Sequence, residues 1–193
     1  MTLHIKYMVS LCCIKMVRSE LDKLEIKHGT VSLGEVEVAD DMDVQQRAKL
    51  KLTLAKSGFL LMDDPKSILI EKTKNLIIDM IHNSDDELPK KNYSDHISEQ
   101  LGYDFKYLSR IFSDVKGITI ENYIIAHKVE RIKELIMYDE LSLTQISYKL
   151  NYSSLAHLSN QFKKVTGLTP TYFKQMKHKK RITLEHVGEV EQE

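Results

Sequence analysis

Apolar and polar residues alternate in "LHIKYM" (3–8), the period of a half-buried strand. The period then lengthens: Ile14, Val17, Leu21 and Leu24 recur at helical spacing over 13–26. "TVSLGEVEVA" (30–39) predicts a hairpin, with Gly34 at the first central position of a two-residue type II′ turn. Over 43–58 the spacing predicts a second amphipathic helix, burying Val44, Ala48, Leu52 and Ala55 and capped by Gly58. "FLLM" (59–62) follows as a short apolar strand. Strand, helix, strand, strand, helix, strand in about sixty residues is the ferredoxin-like plan.

"DDP" (63–65) ends that pattern; Asp64 can cap a helix and Pro65 can open it. Residues 65–84 read as a helix that completes the bundle after it, and no strand pattern follows up to residue 180. In 119–140, Ile125, Val129, Ile132 and Ile136 form one stripe of a long helix. The expected class is therefore α+β. A ferredoxin-like βαββαβ domain (1–63) precedes an all-α domain (65–181), and an acidic tail (182–193) is expected to be disordered.

The all-α part repeats itself. "ISEQLGYDFKYLSRIFSDVKGITIENY" (97–123) aligns with "ISYKLNYSSLAHLSNQFKKVTGLTPTYF" (146–173). Ile97, Leu101 and Tyr103 match Ile146, Leu150 and Tyr152 at an offset of 49. Leu108, Ser109, Phe112, Gly117 and Thr119 match Leu158, Ser159, Phe162, Gly167 and Thr169 at an offset of 50, so the second turn holds one extra residue. Gly102 and Asn151 stand at the turns, and both residue types tolerate positive φ. Gly117 and Gly167 stand where each second helix should stop. This is a helix-turn-helix written twice, its copies joined by the long helix.

The outward faces of the two second helices carry chemistry. The first presents Lys106, Ser109, Arg110 and Ser113; the second presents Ala156, Ser159, Asn160 and Lys163. Arg pairs bidentately with guanine and Asn with adenine; Ser and Lys reach bases or phosphates, and Ala admits a thymine methyl.

Charge agrees with an anionic partner for this half alone. The net charge of zero is uneven: residues 90–181 hold sixteen Lys and Arg against nine Asp and Glu, and residues 1–64 hold nine against ten. The eight His are scattered, with no HExxH, GxSxG or P-loop spacing, so no enzyme is expected. No apolar run reaches about eighteen residues and no signal-peptide pattern opens the chain, so a cytoplasmic protein without a membrane span is expected.

Residues 66–180, above all "LTQISYKLNYSSLAHLSNQFKKVTGLTPTYFK" (143–174), resemble the DNA-binding domain of the AraC/XylS family of bacterial transcriptional regulators. The resemblance implies a regulator that reads double-stranded DNA and can contact RNA polymerase. It places base reading on Lys106, Ser109 and Arg110 and on Ala156, Ser159 and Asn160, with a packing residue at His157. The family often has Arg where Asn160 stands, which implies a different base preference for the second helix.

"MVSLCC" (8–13), at the end of the first strand, resembles the Met-x-Cys-x-x-Cys loop of heavy-metal-associated domains, with Ser10 in place of the first Cys. Serine is a poor ligand for a soft metal, and adjacent side chains at a helix start diverge by about 100°. Cys12 and Cys13 are thus weak metal candidates, and no cofactor is expected. The alternative function is a metal- or thiol-responsive sensor whose first domain binds Cu(I). That domain can also pair with its copy in a homodimer through an open sheet edge.

Overall fold

The computed structural model describes residues 1–39, 42–83, 92–176 and 180–188. They form two compact units, Met1–Leu76 and Ile77–Glu193.

The first unit contains β1 (Thr2–Lys6), α1 (Leu11–Lys23), β2 (His28–Ser32), β3 (Glu35–Val38), α2 (Val44–Lys56) and β4 (Leu60–Met62). The strands form one antiparallel sheet in the order β2-β3-β1-β4. Leu3 and Ile5, two residues apart on β1, send both side chains to one face. They share a core with Val36, Val38 and Leu61 of the sheet, Val17 and Leu21 of α1, and Leu50 and Leu54 of α2.

Two local expectations are corrected. Ser32 pairs with Glu35, so Leu33 and Gly34 are the central turn residues. Gly34 is then second of the pair, with φ +83°, and Leu33 keeps negative φ. That is type II geometry, not II′. A Cβ at Gly34 would also collide with the amide nitrogen of Asn75, which donates to the Leu33 carbonyl at 3.3 Å. The second correction concerns α2. It buries Leu50 and Leu54, and the expected face is exposed, Val44 at 85% and Leu52 at 66%, with Ala48 and Ala55. Two leucines at i,i+4 remove more apolar area from water than a stripe half made of alanine.

Helix α3 (Pro65–Ile78) starts as expected, with Asp64 accepting from the Ser67 N–H at 2.7 Å. Those backbone and side-chain bonds from Ser67 hold the Asp64 carboxyl below its ordinary pKa. Most of α3 belongs with the sheet. Glu71 accepts from the Tyr7 N–H at 3.2 Å and from Lys74, and Lys72 pairs with Glu35 at 2.7 Å. The division between units therefore falls after Leu76, inside α3, and not at residues 63–65.

In the second unit a π-helical turn (Asp79–Asn83) precedes α4 (Tyr93–Leu101), α5 (Phe105–Lys116), α6 (Ile120–Tyr138), α7 (Leu143–Lys149), α8 (Leu155–Thr166) and α9 (Pro170–Gln175). Val129, Ile132 and Ile136 of the expected α6 stripe are buried, and Ile125 is half-buried. His82 of the π-helical turn lies 3.2 Å from the His127 ring of α6. The described part of the expected acidic tail is ordered against α6. Ile182 donates its N–H to Glu130 at 3.0 Å, Arg181 pairs with Glu134 at 3.5 Å and Val187 is buried. Residues 189–193, and 177–179 of the basic run, lie outside the described residues. Among the described residues no helix is long and apolar enough to cross a membrane.

Candidate nucleic-acid interface

Each copy builds its presented helix from the same local chemistry. Helix α4 ends at Gly102, φ +70°, and α7 is followed by Asn151, φ +52°, so both turns pass through the left-handed region. Asp104 then caps α5 by accepting from the N–H groups of Lys106 and Tyr107. Ser154 caps α8 by accepting from the His157 N–H at 3.1 Å. The far ends match too, with Gly117 at φ +71° and Gly167 at φ +76° stopping α5 and α8. Two residues later Thr119 and Thr169 accept from the N–H groups of Asn122 and Tyr172, starting α6 and α9.

The inward faces hold these helices in place. Helix α5 buries Leu108, Ile111 and Phe112, and α8 buries Leu158 and Phe162. Phe112 packs edge-on to Tyr123 of α6, and Phe162 edge-on to Phe173 of α9. Gln161 occupies the place of Ile111 and accepts from the Tyr152 hydroxyl at 2.5 Å.

The opposite faces carry the residues singled out in the sequence. Lys106 and Arg110 are exposed on α5, with Ser109 half-buried between them; Ala156 and Asn160 are exposed on α8, with Ser159 half-buried. Lys163 extends the exposed face of α8. Among the described residues Lys106, Arg110 and Lys163 are in no ion pair, so their cationic heads remain available. His157 lies exposed on α8, yet its ring packs edge-on to Tyr152 and its Nδ1 lies 3.0 Å from Ser153 Oγ.

The sequence reading missed an aromatic pair beside Lys106. Tyr103 and Tyr107 are exposed and stacked, ring centroids 5.8 Å apart. Their spacing of four across the α5 N-terminus was the available signal. Lys164, exposed next to Lys163, was also missed.

The residues of "MVSLCC" do not converge. Met8 is fully buried in the first unit's core, Cys12 is exposed, and Cys13 Sγ lies 3.3 Å from Ser10 Oγ and 4.0 Å from the Tyr7 carbonyl. Among the described residues no cluster of three His, Cys, Asp or Glu side chains is placed to hold a metal ion.

Comparison with known proteins agrees with the repeat. A family model described as a helix-turn-helix domain matches residues 97–176. YtdP of Bacillus subtilis, an uncharacterized HTH-type transcriptional regulator, is 29% identical over 104 residues, which cover 54% of this chain and 14% of YtdP. The xylose operon regulatory protein of Escherichia coli is 30% identical over 80 residues, 42% of this chain and 20% of that protein. This chain thus spans well under two thirds of either relative. The C-terminal domain of AraT, a response regulator from Geobacillus stearothermophilus, shares the fold with a TM-score of 0.50 at 22% identity, covering 62% of this chain and 92% of that one. Residues 97–176 of this chain are a helix-turn-helix domain of the AraC type.

Proposed function

We propose that the chain is a sequence-specific DNA-binding transcription regulator that lays α5 and α8 in successive major grooves of one duplex. The observation that carries this is the matched exposure of Lys106, Ser109 and Arg110 on one helix and Ala156, Ser159 and Asn160 on the other. Helix α6 joins the copies with 19 residues, a rod of about 28 Å, close to the roughly 34 Å between successive major grooves on one face. One chain then reads two half-sites without a partner. Arg110 and Asn160 contact bases, and Lys106 and Lys163 contact phosphates or bases.

The first unit is non-catalytic in this proposal. Its βαββαβ order and antiparallel sheet support a ferredoxin-like fold. Its partners are a second copy, which the exposed stripe of α2 supports, and RNA polymerase bound through the DNA complex. A Cu(I)-sensing role has no support, because Met8 is consumed by the core and Ser10 stands where a second thiolate is needed. No metal or cofactor is called for.

Selection of bound sequences from a random DNA pool tests the proposal. The expected result is a bipartite motif with half-site centres about 10–10.5 base pairs apart. A pool without an enriched motif at moderate salt would remove specific recognition.

A further inference from the structure

The third residue of each presented helix is a ring: Tyr107 on α5 and His157 on α8, matched at the repeat's offset of 50. Both are exposed. Each stands three residues before Arg110 or Asn160, and so on the same flank of its reading face. Each is also braced by the tyrosine of its own turn. Tyr103 stacks on Tyr107 with ring centroids 5.8 Å apart, and Tyr152 meets His157 edge-on at 5.2 Å. A surface ring held in this way has lost rotamer freedom before any partner arrives, so a contact through it costs less entropy.

The braces leave one polar atom of each ring unused. Ser153 Oγ lies 3.0 Å from His157 Nδ1, which leaves Nε2. Among the described residues neither His157 Nε2 nor the Tyr107 hydroxyl has a hydrogen-bond partner. The surroundings of His157 suit an anion. Ser154 caps α8 with a neutral hydroxyl, where Asp104 caps α5 with a carboxylate. Lys163 and Lys164 are exposed on α8 and, among the described residues, in no ion pair. The titratable groups that line one cavity with His157 are Glu121, Tyr93, Tyr152 and Lys128, whose ammonium lies over both tyrosine rings.

We propose that Tyr107 and His157 are matched anchors on the phosphate backbone of DNA, Tyr107 through its hydroxyl and His157 as an imidazolium through Nε2–H, so that the grip of the second copy tightens as pH falls. This rests on the DNA-reading proposal and adds a contact and a proton to it. A phosphate beside His157 favours the charged ring, so the complex takes up a proton where the free chain's imidazole is still neutral. Affinity therefore rises as pH falls, and levels off once the free chain is protonated too.

Binding of the full chain to a mixed-sequence duplex of about 30 base pairs, at about pH 6 and about pH 7.5 across a range of salt, tests this, because phosphate contacts need no operator. Parent affinity is expected to rise about threefold or more between the higher and the lower pH, and His157→Gln should lose most of that rise. At about pH 6 the parent's salt slope should be steeper than the variant's by about 0.9. His157→Lys should bind at both pH values as tightly as the parent does at the lower one, which packing against Tyr152 alone would not give. Tyr107→Phe should weaken binding about threefold at both pH values with an unchanged salt slope, since a hydroxyl carries no charge. Glu121, Lys128 and the two buried tyrosines are common to all variants, so their titration drops out of the comparison. Melting curves are recorded for each variant, whose altered side chain is exposed in the parent. A parent that binds, with His157→Gln equally pH-dependent or Tyr107→Phe equally tight, overturns this inference alone. A parent that does not bind the duplex even at low salt overturns the DNA reading with it.

Discussion

Tyr103 and Tyr152 hold the same place in the two copies of one motif and live in opposite surroundings. Tyr103 is 47% exposed and stacks on Tyr107 at the outer surface. Tyr152 is 6% exposed, lies over the Lys128 ammonium and gives its hydroxyl proton to Gln161. The second turn has one residue more, and Tyr152 closes it by donating its N–H to the Ser147 carbonyl at 2.9 Å. A repeat therefore conserves backbone grammar and leaves side-chain roles open. The outward faces differ in the same way: α5 presents Lys106 and Arg110, whereas α8 presents Ala156 and Asn160 and carries its charge further on, at Lys163 and Lys164. In the proposed complex one copy meets DNA with cations at the reading positions, and the other with small and amide groups flanked by cations.

The widest gap between the copies should appear in stability. Tyr152→Ala removes a buried ring and strands Gln161, and is expected to cost about 3–5 kcal/mol. Tyr103→Ala, at the surface, should stay within about 0.5 kcal/mol. Urea unfolding of both variants checks this, and comparable losses would mean that the second turn is not the anchored one.

Next in size is a pH effect at the junction. Lys128 has a pKa of about 8 in the folded chain and an ordinary value of 10.5. Between those values the unfolded chain binds more protons, so this lysine makes stability rise with pH. The groups around it are Tyr93, Tyr152, His157 and Glu121. Burial raises both tyrosine hydroxyls above their ordinary 10.0, with Tyr93 adding to the rise at Tyr152, so above about 10 they act in the opposite sense. Lys128→Met should thus be more stable than the parent at pH 7, and the gap should narrow as pH climbs from about 8 towards 10.5. Melting curves across that range provide the check; a gap independent of pH removes the buried-cation account.

How much of this was legible beforehand depended on whether the signal was local. Gly102, Asn151, Gly117 and Gly167 each act within a few residues of themselves, and the expected turns and stops are where the structure has them. The strand and helix order of residues 1–62 was legible for the same reason. Helix α2 was not, because it carries apolar residues on two sides and only the sheet decides between them. The hairpin turn failed similarly: glycine suits either central position, and the Ser32–Glu35 pairing settles which. The role of Lys128 was out of reach, since it exists only once Tyr93 and Tyr152 are brought to α6 from opposite directions in the chain.

The difference between the reading faces predicts a split in DNA binding. Arg110→Ala and Asn160→Ala should each weaken specific binding by about 1–3 kcal/mol and relax preference in their own half-site. Lys163→Ala should instead weaken all sequences alike and lower the salt slope by about 1. Binding titrations against single-base operator variants separate these outcomes. If Asn160→Ala changes affinity without changing preference, the second copy only anchors and the first alone reads.

The smallest expected effect isolates the turn itself. Nothing lies within 4 Å of a Cβ built on Gly102, so a side chain there meets no obstacle, and only its φ of +70° opposes substitution. Gly102→Ala should therefore cost about 1 kcal/mol, the penalty of a left-handed backbone for a residue with a Cβ. Gly102→Asn, which puts into the first turn the residue type the second turn uses at Asn151, should cost visibly less, because the short amide side chain eases that conformation. Thermal unfolding of the two variants measures the difference. Equal losses would show that the turns are alike in backbone angle only, and that Asn151 serves the second copy through its side chain instead.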